Sequence, residues 1–167
     1  VEERLPVDAE LDTCENKGYI TFEHVDFSYN EGKKVLDVGC GSGILSVCGL
    51  LLGVDRAVGV DIDPLAVKKA QENAELNGFD GSRYTVYEGN LTDKVSGKFD
   101  VVVANIVADV IIMFCENVKQ FMADGGVFIT SGIIDVREQD VLDAFEKYGF
   151  EVIERHESNG WLCFVTK

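Results

Sequence analysis

Histidine is nearly missing from this chain: there are two, His24 and His156, far apart in sequence. The five cysteines (Cys14, Cys40, Cys48, Cys115 and Cys163) form no close pair and no metal-ligating spacing. Together these absences argue against a zinc site. An odd, scattered set of thiols is expected to stay reduced, which points to a cytoplasm. Positive charge is also scarce, with 15 basic against 30 acidic residues and a formal charge of −15. A surface of that sign repels phosphates, so direct binding of nucleic acid is not expected. It suits a basic protein partner, or solubility alone. The longest apolar stretch, around residues 44–54, is short and broken by glycine, and no charged-then-apolar leader is visible. No membrane span is therefore expected. Internal repeats and low-complexity segments are lacking too. What remains is a 167-residue chain of 46% apolar and 27% charged residues, the makeup of one globular domain with a full core.

The most informative segment is Val35-Leu-Asp-Val-Gly-Cys-Gly-Ser-Gly43. A short apolar run opens into three glycines spaced two apart, and Ile44 and Leu45 follow as helix formers. This reads as a buried strand, a tight turn and a helix start. Glycine lets the backbone approach a ligand, and the first helix amides point at whatever negative group lies there. The dinucleotide spacing G-x-G-x-x-G fails, because its third position is Ile44. A phosphate-gripping loop fails as well, since no Lys-Ser or Lys-Thr pair follows. The surviving pattern, D-x-G-x-G-x-G beginning at Asp37, resembles the first motif of class I methyltransferases that use S-adenosyl-L-methionine.

Strands and helices alternate from residue 34 onward. Strands are expected at about 34–38, 57–60, 84–87, 99–104 and 126–130, and helices at about 42–52, 64–77, 107–122 and 135–148. Asp63-Pro64 reads as a helix cap followed by a first-turn proline, and Asn77-Gly78 as a stop. The continuously apolar Val101, Val102 and Val103 fit a strand covered on both faces. The last runs, 150–155 and 161–165, flank Ser158-Asn159-Gly160 and read as a hairpin. The expected fold is α/β: a Rossmann-like, doubly wound, mostly parallel seven-stranded sheet closed by a C-terminal antiparallel hairpin.

In such sheets the ligand lies beyond the carboxyl ends of the strands, near the switch in strand order. Gly39, Gly41 and Gly43 would let the methionine portion lie against the backbone, with Asp37 counted alongside them. Asp61, ending the second strand, is placed to accept both ribose hydroxyls. Ile62 would pack on the adenine face. Asn90 and Leu91, after the third strand, would present a side chain and a backbone amide to the adenine edge. Asn105, ending the fourth strand, stands where the transferred methyl should emerge, or else caps the next helix. Methyl transfer from a sulfonium is an in-line displacement from an already activated leaving group. Holding an unprotonated amine in line supplies most of the acceleration, and no general base is demanded.

From Val35 to Val165 the chain resembles the catalytic domain of the ribosomal protein L11 methyltransferases, the PrmA family. The segments that carry the likeness are VLDVGCGSGIL from Val35, GVDIDPLAV from Gly59, ENAELNG from Glu72, VVANIVAD from Val102 and SGII from Ser131, with the pairs Gly149-Phe150 and Gly160-Trp161. The resemblance implies methylation of amino groups, lysine ε and N-terminal α, on a ribosomal protein. It implies S-adenosyl-L-methionine as cofactor, S-adenosyl-L-homocysteine as product, and cofactor contacts at Gly39, Asp61 and Asn105. Related enzymes with Asn-Pro-Pro-Tyr at the fourth strand suit planar nitrogens. Asn105-Ile106-Val107-Ala108 lacks the aromatic stacker, which favours an aliphatic amine.

Residues 1–33 do not resemble the family, which carries a substrate-recruiting domain and then a Gly-Thr-Gly-x-His-x-Thr-Thr segment over the cofactor. Lys17–Tyr29 alternates like a strand and resembles the opening strand of ABC-transporter ATPase domains, without the lysine motif that should follow. The expectation is a leader over 1–33 joined near residues 30–35 to a cofactor-binding domain over 34–167, by fusion or rearrangement; the alternative is a divergent leader strand. Cofactor affinity is then expected to survive better than turnover. Two other readings compete: a methyltransferase of small-molecule amines, and a cofactor-binding module that catalyses nothing.

Overall fold

A computed structural model of the chain describes residues 32–167. The leader strand expected at 17–29, and all but the last two residues of the segment set apart at 1–33, lie outside the described residues. The strands are β1 (Lys34–Val38), β2 (Arg56–Asp61), β3 (Tyr84–Glu88), β4 (Phe99–Asn105), β5 (Met122–Ile134), β6 (Val152–Ser158) and β7 (Trp161–Thr166). The helices are α1 (Ile44–Leu51), α2 (Pro64–Leu76), α3 (Ala108–Phe114) and α4 (Glu138–Lys147). They build one seven-stranded sheet of order β3-β2-β1-β4-β5-β7-β6. Neighbours are parallel except that β7 runs against both β5 and β6. The chain winds outward from β1 through β2 to β3, then crosses back to place β4 on the other side of β1. The switch point, and the crevice that goes with it, therefore lies beyond the carboxyl ends of β1 and β4.

The apolar runs are explained by burial on two faces. On β1, Val35 joins the apolar cluster formed with α1 and α2, while Leu36 and Val38 join the larger one under α3 and α4. The larger cluster centres on Phe128, fully buried, whose ring meets those of Phe114, Phe145 and Phe150 at centroid distances of 5.8, 6.5 and 5.8 Å. Truncating a fully buried aromatic loses its transfer energy and leaves a cavity, so Phe128→Ala is expected to cost about 3–5 kcal/mol. Chemical denaturation should show this as a lower midpoint with an unchanged slope.

Local signals set the element ends. Asp63 caps α2 by accepting from the Leu65 amide at 2.8 Å, with Pro64 at the first helical position. The β6–β7 hairpin turns through Asn159 and Gly160, at φ 52° and 78°, the two left-handed residues that match the twist of the strands. Three expected bounds need correction. The helix expected over 107–122 ends at Phe114, and Val118–Phe121 forms a separate 3₁₀ turn. The helix expected from 135 opens with a 3₁₀ turn, Asp135–Arg137, before α4. Finally, β5 runs 13 residues rather than five. Its register shifts opposite Phe99/Val101 and between Thr130 and Ile133, so Gly126, where the strand is expected to start, and Gly132, beyond its expected end, both lie inside one irregular strand. Among the described residues, no helix is long and apolar enough to cross a membrane.

Candidate functional site

The loop after β1 is hung on β2. The amides of Gly39 and Cys40 both donate to the Val60 carbonyl, at 2.8 and 3.0 Å. Gly39 adopts φ 71°, and a Cβ there would stand 2.4 Å from Ile106 Cγ2, so the backbone passes directly against the loop after β4. Gly41, at φ 53°, faces open space, and its amide donates to Asp61 Oδ2 at 2.8 Å. The other oxygen of that carboxylate, Oδ1, accepts from the Asp63 amide at 2.9 Å. Asp61 thereby pins the glycine loop to the start of α2, and its backbone carbonyl takes the Gly89 amide at 2.9 Å from the end of β3. One residue thus gathers three loops at the carboxyl edge of the sheet. Each carboxylate oxygen can accept more than one hydrogen bond, so both remain able to receive hydroxyls from a ligand.

Other sequence-derived candidates fall around this residue. Ile62 is 72% exposed beside Asp61, an apolar side chain left uncovered at the crevice. Asn90 is exposed, and Leu91, at the left-handed φ of 50°, packs back onto the larger core cluster. Asn105 ends β4 exposed, and its side chain makes no hydrogen bond among the described residues. The residue capping α3 is Val107, with no side-chain bond. Asn105 is therefore not the helix cap, and its carboxamide has no partner among the described residues.

Two candidates lie beneath the crevice rather than in it. Gly43 begins α1 at φ 77°, where a Cβ would stand 3.0 Å from both Ala70 Cβ and the Tyr84 hydroxyl. Its part is to let α1 pack closely on α2 and β3. Asp37 is buried, and its Oδ2 accepts from the Ser46 amide at 3.2 Å and the Ser46 hydroxyl at 2.9 Å. It braces α1 under the loop. Burial, opposed by the Ser46 bonds and aided by Asp61, pushes the Asp37 carboxyl up from 3.8 to about 6. Between those values the folded protein binds more protons than the unfolded one, so stability falls as pH rises through the window. Above it, the ionised carboxylate carries a penalty of about 3 kcal/mol, at about 1.4 kcal/mol per pKa unit. Asp37→Asn should therefore gain melting temperature over the native protein at pH 7.5 and lose most of that advantage at pH 4, as read by thermal melts.

Two contributors were not singled out from sequence. Asn73 on α2 donates from Nδ2 to the Ser42 carbonyl at 2.8 Å, fastening the glycine loop from the side. Gly132 in β5, at φ 78°, leaves room for Asn105, since a Cβ there would stand 2.6 Å from Asn105 Oδ1. Both lie in segments that carried the family likeness, but their partners are 27 or more residues away and invisible to spacing rules.

This strand order, closed by an antiparallel hairpin, is that of the class I methyltransferase fold. The chain belongs to the ribosomal protein L11 methyltransferase (PrmA) family, whose model matches residues 19–167. The match begins inside the segment set apart at 1–33. It is 47% identical over 133 residues to the ribosomal protein L11 methyltransferase of Clostridium botulinum (strain Eklund 17B / Type B), covering 80% of this chain and 42% of that protein. The Clostridium perfringens (strain SM101 / Type A) protein of the same name matches to the same extent. The chain thus spans less than half the length of these relatives. Among solved structures, the ribosomal protein L11 methylase of Lactobacillus delbrueckii subsp. bulgaricus superposes with a TM-score of 0.77 at 29% identity, over 80% of this chain and 69% of that one. A Streptococcus pneumoniae protein described as a putative tRNA (m1A22) methyltransferase shares the fold, with a TM-score of 0.69 at 19% identity.

Proposed function

We propose that this domain binds S-adenosyl-L-methionine in the crevice gathered by Asp61 and methylates amino groups, lysine ε or N-terminal α, of a ribosomal protein. S-adenosyl-L-homocysteine is the product released. The observation that carries the reading is the Asp61 carboxylate, bonded to the Gly41 and Asp63 amides at 2.8 and 2.9 Å and still able to accept at both oxygens. The open space at Gly41 and the uncovered Ile62 fit an adenosine and its methionine tail.

The bound cofactor supplies a methyl group activated by the positive charge of its sulfonium. The protein supplies position. Asp61 accepts the two ribose hydroxyls, and Gly39 and Gly41 admit the methionine portion against their backbone. Ile62 covers one adenine face, with Asn90 and the Leu91 amide at its edge. Asn105 accepts hydrogens from the target amine through Oδ1, which aims its lone pair and offsets the positive charge that develops on nitrogen during transfer. Asp37 acts through Ser46, holding α1 and the glycine loop in place.

The acidic balance supports a basic protein partner and argues against direct contact with nucleic acid. The cysteines described as unpaired (Cys40, Cys48, Cys115 and Cys163) support a reducing compartment, the cytoplasm. Incubation with methyl-labelled cofactor and ribosomal protein L11 tests the reading. Label on lysine ε or N-terminal α nitrogen supports it, and label only on added small amines transfers the site to a small-molecule substrate. Binding of S-adenosyl-L-homocysteine with no labelled product selects instead a domain that holds cofactor without turnover.

A further inference from the structure

Beyond the cofactor crevice, the carboxyl edge of the sheet carries a second feature. Ile134 and Trp161 are directly paired across β5 and β7, and both remain open, at 42% and 54% exposure. The next pair, Ile133 and Leu162, is fully buried on the opposite face. Val136 and Val107 are more exposed still, at 78% and 63%. The segments that carry them are joined by the Arg137–Asp109 ion pair of 2.6 Å, which ties the turn after β5 to the first turn of α3. The Asp135 amide bonds the Gly160 carbonyl at 3.0 Å and seats the hairpin tip against the same turn. Single exposed apolar side chains are ordinary, but four gathered at the rim of a site mark a contact surface.

Its charge selects the partner. Asp109 and Asp140 share Arg137, while Glu138 and Glu157 share Arg155, and Asp135 has no cationic partner among the described residues. Five carboxylates against two guanidiniums leave an acidic surround. Position selects the segment. Asn105 pairs with Ser131, and Ile134 lies three residues further along β5, at most about 10 Å along the chain. Extended peptide lying on these side chains would carry an amine at that distance to Asn105.

We propose that Val107, Ile134, Val136 and Trp161 form the platform on which a basic polypeptide segment flanking the accepted amine lies. This rests on the amine-methyltransferase reading and adds the surface that recognises the substrate chain. Trp161 is the one tryptophan of the chain, so its emission reports this platform alone. The full chain is titrated with a short alternating lysine–alanine peptide, and in parallel with a glutamate–alanine peptide of the same length. The expected result is a saturable change in Trp161 emission with the lysine peptide only, weakening as salt is raised. Val136→Lys, at an exposed position, should weaken that binding about tenfold while binding of S-adenosyl-L-homocysteine stays as in the native protein. An equal response to both peptides, a response to neither, or native binding by Val136→Lys overturns the proposal. Emission that changes with protein concentration alone overturns it too, and assigns the face to self-association. If S-adenosyl-L-homocysteine gives no binding to the native chain, it is the methyltransferase reading that fails.

Discussion

Asp61→Ala is expected to weaken binding of S-adenosyl-L-homocysteine by about 100-fold or more. Two charge-assisted hydrogen bonds to ribose hydroxyls are lost, each worth about 1.5–3 kcal/mol. The Gly41 and Asp63 amides lose their acceptor in the same step, which loosens the loop that the ligand must lie against. Asp61→Asn separates these effects, since its amide keeps one acceptor oxygen and no charge. It should lose about tenfold. Thermal shift gives the readout: at a concentration 100 times its dissociation constant, a ligand stabilises the native protein by about 2.7 kcal/mol. The alanine variant should show almost none of this. Native-like stabilisation of Asp61→Ala would remove Asp61 from the ribose site.

Gly39→Ala is expected to lower stability by about 2–4 kcal/mol and to abolish cofactor binding. The added Cβ would stand 2.4 Å from Ile106 Cγ2, and the β-branched isoleucine has little rotameric freedom with which to retreat. The left-handed φ of 71° adds about 1 kcal/mol for a residue with a side chain. For a domain of this size each kcal/mol moves the melting temperature by roughly 2–4 °C, so a fall of about 5–15 °C should be visible. Ile106→Ala in the same chain relieves the clash but not the backbone conformation. The double variant should therefore recover part of the stability, and a double-mutant cycle should yield a coupling above about 0.5 kcal/mol. Strict additivity would show that the two loops do not meet in this way.

These two residues also show where sequence was informative. Gly39, Gly41 and Asp61 belong to a short pattern whose spacing fixes backbone conformation, so the strand-turn-helix and the acid at the next strand end could be read directly. The same holds for Asp63-Pro64 and for Asn159-Gly160, where local chemistry decides the turn. The break after α3 was hidden because the buried residues Ile111, Phe114, Val118 and Phe121 keep a helical interval straight through it. The length of β5 is hidden in the sequence because Gly125, Gly126 and Gly132 interrupt its apolar run. Gly126 instead sits where a Cβ would meet the Ala123 carbonyl at 2.9 Å, and Gly132 where it would meet Asn105. Asn105 stands at a strand end, as its sequence position implies, but a cap and a ligand contact look alike in sequence; Val107 at the start of α3 removes the cap. Asn73 and the Trp161 platform depend on long-range approach and on exposure, which no local pattern encodes.

The central claim is that the crevice under Asp61 is shaped for a sulfonium nucleoside. Calorimetric titration of the unaltered chain with S-adenosyl-L-homocysteine tests it most directly. A saturable heat at one ligand per chain is the predicted result; the absence of any binding heat across the titration would contradict it.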